Sequence, residues 1–368
     1  MDDLPPRSKG MRFFVLDCHS SATNDIKSIL EILGHEVVYW PISVYFQKIF
    51  GHDKRQPEII NASTWLDLNK EMCDQFSEKY ESYLSQFDGF IVSAFSSFAL
   101  LFERFDKPII VVNAVRYEIP FTDKPASWDL LNQFLVDGVK RHKIFLVSNN
   151  KGDAIYLKKA TGLDSELIPS LGLYTNAKYS GKNNAYVFHN PKKNPFIETF
   201  KSYLRLDSLI HSPPENYLWQ TLYDYKGIIH IPYQVSIMSL FEQYSANVPL
   251  FFPSKECLIA LQSLAPANVL NEISFFWLLK KIPPSQTPGD LNNLSDPNVV
   301  KFWIDSADYY DKENMPYIQY FDSPQHLKFL LLNTDTQEIS RKMQADNLKK
   351  KEWVLKKWEE VLDRVSQT

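Results

Sequence analysis

The chain has 368 residues, 44% of them hydrophobic, and a formal net charge of -4. That length suits two domains of about 100–200 residues each; the apolar content excludes a disordered chain, and the mixed charge excludes a dedicated basic surface for nucleic acid. Cys18, Cys73 and Cys257 stand far apart, outside any disulfide-framework or zinc-ligand spacing, so a reducing, cytoplasmic setting is expected. Residues 1–10 read as a polar leader without the apolar core of a signal peptide, and no run approaches the roughly 18 apolar residues of a membrane span. Aromatic residues make up 14% of the chain and are read mainly as core formers.

In chain order, residues 11–16 (MRFFVL) predict a buried strand, and Ile26, Ile29, Leu30 and Leu33 repeat at helical spacing. Gly34 stops that helix and HEVVYW predicts a second strand, the opening of a parallel α/β unit. The alternation continues with KEMCDQFSEKYESYLSQF (helix), DGFIVSAF (strand), SSFALLFERF (helix) and KPIIVVNAV (strand). A helix near Trp128–Lys140, the strand HKIFLVSN, the helix GDAIYLKKATG and a last strand near Leu167–Leu171 complete the first half. The polar stretch TNAKYSGKNN (175–184) reads as a linker.

A second series starts the sheet afresh. NAYVFHN, SLIHS, GIIHIPY and VPLFFPS predict strands, and NPFIETFKSYLRL, ENYLWQTLYDYKG and SIMSLFEQYSA predict helices. Residues 282–298 read as a surface loop, and the last segment as an amphipathic helix resting on Met343, Leu348, Trp353, Leu355, Trp358 and Leu362. The expected architecture is α/β with two Rossmann-like doubly wound domains: 11–178, 179–335, and a closing helix 336–368 that crosses back.

In such sheets ligands gather at the carboxyl ends of the strands. The segment 230–254 places a strand, a turn with Ser236 and Ser239, a helix containing Glu242, and Pro249 opening another strand. Glu242 to Pro249 resembles the E-A-M-A-x-G-x-P run of GT-B glycosyltransferases. It departs from the family at Asn247, where the family has Gly, and at Gln234, eight positions before Glu242, where retaining members have a first Glu. The resemblance implies a metal-independent transferase without a cofactor, moving a sugar from a UDP- or GDP-linked donor to a hydroxyl of a glycan or small acceptor. It implies that Glu242 accepts from the ribose hydroxyls and that the helix start meets the diphosphate, as the amides of a helix N-terminus can. Tyr233, Gln234 and His230 would line the donor; Ser236 and Ser239 either meet phosphate or, for Ser236, cap the helix.

Four loops carry the remaining candidates. His19, oriented by Asp17, is the candidate base for an acceptor hydroxyl in an inverting reaction. Arg116 and Glu118, after the strand PIIVVNAV, and Asn150, after HKIFLVS, are candidates for acceptor or phosphate. His189, Lys192 and Lys193 follow the first strand of the second half, and the lysines would pair with the diphosphate. Asp305, Asp308 and Asp311 read as a charged helix face rather than a metal site. No G-x-G-x-x-G, Walker, G-x-S-x-G or H-E-x-x-H pattern occurs. A sugar-nucleotide epimerase of the same layout and a non-catalytic binding module are the alternatives. No nucleic-acid partner is expected and no membrane contact, the basic stretch 349–357 being the one segment suited to an anionic surface.

Overall fold

The computed structural model describes residues 10–42, 57–189, 195–213, 217–264, 269–270 and 296–368. These fall into two compact units, one comprising the chain up to Ser170 together with Trp353–Thr368, the other the described residues from Leu171 to Glu352. The first division of the chain between them falls between Ser170 and Leu171.

In the first unit, β1 (Arg12–Asp17), α1 (Ser20–Ile32) and β2 (Glu36–Pro41) form the predicted opening. Gly34 at φ 85° turns the chain after α1, a backbone conformation open to glycine without strain. Then come α2 (Lys70–Lys79), the short α3 (Glu81–Leu84), β3 (Gly89–Ala94), β4 (Ile109–Asn113), α4 (Pro125–Lys140), β5 (Ile144–Ser148), α5 (Lys151–Thr161) and β6 (Glu166–Leu167). All pairings are parallel, in the order β2-β1-β3-β4-β5-β6. β3 and β4 are buried along their whole length, which is why they read as continuous apolar runs. Ser96–Phe102 is a 3-10 helix and not the expected α-helix; all seven residues are buried, leaving no polar face for an amphipathic helix.

The second unit repeats the plan with β7 (Asn183–His189), α6 (Pro195–Ser202), β8 (Ile210–His211), α7 (Trp219–Tyr223), β9 (Tyr225–His230), α8 (Met238–Ser245), β10 (Leu250–Pro253), α9 (Lys255–Leu264), α10 (Pro297–Asp305), β11 (Gln319–Phe321) and α11 (Pro324–Asn333). The order is β11-β10-β9-β7-β8, again parallel throughout. In both sheets the first strand is followed by a neighbour on one side and by all later strands on the other. With right-handed crossovers this reversal puts helices on both faces, the doubly wound arrangement that was expected.

Two expectations are corrected. The stretch read as a linker is part of the second unit: Tyr179 N–H donates to the Ala246 carbonyl at 3.0 Å, and the Tyr179 hydroxyl to that of Lys226 at 2.9 Å. The aspartates do not share one helix face, because α10 ends at Asp305 and a 3-10 turn, Asp308–Tyr310, follows. Most of the predicted surface loop, 282–295, lies outside the described residues. The closing helix α12 (Thr336–Val365) is a single helix of 30 residues whose first part belongs to the second unit and whose last part belongs to the first. It buries Met343, Val354, Trp358, Val361, Leu362 and Val365, whereas Leu348 and Trp353 are 61% and 43% exposed. From Val354 the buried positions follow i, i+4, i+7, i+8 and i+11, and Leu348 and Trp353 fall off that stripe.

Candidate functional site

The second sheet reverses between β7 and β9, and residues there align His189 with His230 at the carboxyl ends of both strands. This is the edge where an open α/β sheet binds its ligands. His230 is 1% exposed; its Nε2–H donates to Gln243 Oε1 of α8 at 2.7 Å, and its ring stacks on Phe252 at 4.6 Å. It is therefore an interior residue that ties β9 to α8. The His189 ring lies 4.8 Å from that of His230. Burial drives both imidazoles toward the neutral form, His189 to about 4 and His230 well below the usual value.

After His230 the chain runs through Tyr233, Gln234 and Ser236, all half-buried, into α8. The residue that caps this helix is Ile237, extended at φ -131°, with no side-chain cap hydrogen bond; the first turn holds no acidic residue. Ser236 therefore does not cap, and Ser239 sits inside the first turn. At the other end, Asn247 adopts φ 65°, the left-handed conformation for which the family's glycine is suited. Val248 N–H donates to Gln243 O at 3.1 Å and Asn247 N–H to Tyr244 O at 3.0 Å, a Schellman closure. Asparagine is the residue other than glycine that enters this region most readily, and Asn347 Nδ2 donates to Asn247 Oδ1 at 2.8 Å. The departure at position 247 thus leaves the helix ending intact.

Glu242, in the second turn of α8, is 6% exposed. Its Oε1 accepts from the Tyr174 hydroxyl, and its Oε2 from Trp219 Nε1 at 3.0 Å. Tyr174 and Trp219 meet edge to face at 5.7 Å. Burial, and after it the charge of Glu242, raises the hydroxyl pKa of Tyr217 and Tyr223; burial, Tyr217 and Glu242 together raise that of Tyr233. Gly172 lets the chain pass: a Cβ there would stand 2.7 Å from Glu242 Cα, and its φ is +60°. Tyr174, Trp219 and Gly172 are the parts of this site that sequence reasoning did not single out. They lie 68, 23 and 70 positions from Glu242, beyond any local spacing rule.

The candidate residues of the first unit are differently placed. His19 is the N-cap of α1, its Nδ1 accepting from Ala22 N–H at 3.4 Å. In the neutral ring this puts the proton on Nε2, and burial holds its pKa below the ordinary value. Asp17 closes β1, but its side chain lies outside the described residues. Arg116, Glu118 and Asn150, the candidates for acceptor or phosphate, are 3%, 1% and 1% exposed. Arg116 Nη1 donates to Asp153 Oδ1, Tyr156 donates to Glu118 Oε1 at 2.9 Å, and Asn150 caps α5 by accepting from Asp153 N–H at 2.8 Å. Their partners are thus Asp153 and Tyr156 of α5, as buried polar groups require. Lys192 and Lys193 lie outside the described residues.

Among the described residues no group of three or more His, Cys, Asp or Glu is arranged to hold a metal ion, and no helix is long and apolar enough to cross a membrane. No protein-family model matches the chain, and no curated protein matches it. Solved structures with a similar layout include the glycotransferase of kitacinnamycin, at 10% identity over 97% of this chain and 100% of that one, TM-score 0.44. A putative UDP-N-acetylglucosamine 2-epimerase from Listeria monocytogenes is similar at 11% identity over 84% of this chain and 92% of its own, TM-score 0.37. The Streptomyces sp. SF2575 glycosyltransferase SsfS6, complexed with thymidine diphosphate, is similar at 11% identity over 88% of this chain and 100% of its own, TM-score 0.35.

Proposed function

We propose that the chain is a glycosyltransferase whose second unit holds a nucleotide-sugar donor. The observation that carries the reading is α8: it follows β9 at the reversal of the sheet, begins with no side-chain cap, and carries in its second turn a carboxylate fixed by Tyr174 and Trp219. A helix start of this kind attracts a diphosphate. A carboxylate offers about four acceptor positions, so ribose hydroxyls can share Glu242 with its two protein donors.

Ser236 and Ser239 are assigned to the diphosphate with Lys192 or Lys193, Tyr233 to the base or sugar, and Gln234 to a hydroxyl. His19 is assigned as the base, through Nδ1, exchanging the Ala22 N–H for the acceptor hydroxyl. The acceptor oxygen then bonds to the anomeric carbon as the bond to the diphosphate breaks, and the helix amides and lysines stabilise the leaving charge. UDP and GDP donors and a glycan or small hydroxyl acceptor complete the proposal.

Calorimetric titration of the full chain with UDP, GDP, CDP and dTDP tests it. At least one should bind, and Glu242→Ala should weaken that binding by about 1–3 kcal/mol, the range for losing hydrogen bonds to a polar partner. No binding across the panel, an unchanged affinity in the variant, or an isomerised nucleotide sugar as product in the absence of acceptor would each overturn it.

A further inference from the structure

The loop 114–122 leaves the carboxyl end of β4, and every residue in it is buried. Loops ordinarily run over the surface, so this one must satisfy its polar groups internally. Ser97 Oγ donates to Ile119 O at 2.5 Å, Tyr117 donates to Asn132 Oδ1 at 2.6 Å, and Arg116 is paired with Asp153 of α5. Glu118 Oε1 accepts from the Tyr156 hydroxyl of α5, and the backbone N–H of Glu118 also favours the anion; its Oε2 is sealed from solvent with no hydrogen-bond partner. A buried carboxylate with one oxygen undonated costs far more when charged than as the neutral acid.

We propose that Glu118 is an uncharged acid in the packed loop, and that its ionisation releases the loop 114–122 from α5, a proton-operated latch at the ligand edge of the first sheet. It is independent of the transferase reading. The groups facing Glu118 are Arg116 and Tyr117 from its own loop and Asp153 and Tyr156 from α5. The backbone N–H of Glu118 and the Tyr156 hydroxyl favour the anion, as does Arg116, but Arg116 is committed to Asp153, whose negative charge opposes it. Burial outweighs these and pushes the acid up to about 7.

Hydrogen exchange of the full chain, followed by mass spectrometry and corrected for intrinsic rates, tests the latch. Between the ordinary carboxyl value of 4.5 and the raised value of about 7, the protection of 114–122 should fall by up to about tenfold per pH unit and level off above it, where Glu118 is ionised whether the loop is closed or open. Glu118→Gln cannot ionise and should make the profile flat. If that variant does not fold, Tyr156→Phe removes the one hydroxyl that favours the anion and should move the transition to higher pH. A flat profile in the unsubstituted chain, an unaltered slope in Glu118→Gln, or an unmoved transition in Tyr156→Phe overturns the proposal.

Discussion

Glu242 is the residue whose replacement separates a fixed acceptor from an incidental one. In Glu242→Ala, Trp219 Nε1 and the Tyr174 hydroxyl both lose the carboxylate they donate to. Hydrogen bonds to a charged group contribute about 1.5–3 kcal/mol each when buried; both donors are half-buried, so a combined loss of about 2–3 kcal/mol is expected. Glu242→Gln behaves differently. An amide can keep its oxygen toward the indole, which only donates, and turn its NH2 toward the tyrosine, whose hydroxyl can also accept. Its cost should be about 1 kcal/mol, the difference between charged and neutral bonds. For units of this size 1 kcal/mol corresponds to about 2–4 °C, so scanning calorimetry should place the Ala variant about 4–12 °C low and the Gln variant about 2–4 °C low. Equal shifts in the two variants, or none in Glu242→Ala, would refute the reasoning that both bonds converge on this carboxylate.

Two further outcomes follow from backbone and burial. Asn247→Gly should stay within about 1 kcal/mol in urea denaturation, since relief at φ 65° offsets the lost Asn347 bond, whereas Asn247→Val should cost about 2 kcal/mol or more. His189 has its pKa depressed to about 4 in the folded chain against about 6.5 unfolded, so its contribution is full above pH 6.5 and is lost as pH falls through 4. That amounts to about 3 kcal/mol across the window, and urea midpoints measured in acid should show the slope in the native chain and a shallower one in His189→Leu.

The strands β3 and β4 could be read from the sequence because a strand buried on both faces must be apolar at every position, and α1 because its apolar residues share one stripe and Gly34 follows it. Length and the restarted alternation carried the two-unit plan, since connections between parallel strands must cross over and are helical. Residue 247 needed the structure. The sequence shows Asn where the family has Gly, and only the backbone angle shows that both residue types solve the same problem.

The chain by itself determined the doubly wound character of both halves and the position of Glu242 between two strands, because periodicity, capping and turn chemistry act over a few residues. Only the tertiary structure decided what surrounds that carboxylate. Tyr174 and Trp219 come from segments far away in sequence, and Gly172 matters because of how closely one backbone passes another. The same is true of Arg116, Glu118 and His230, whose residue types suggest ligands but whose packing turned them inward. A charged or polar side chain reads alike in sequence whether it faces water or the interior; its partners decide, and they are chosen by folding.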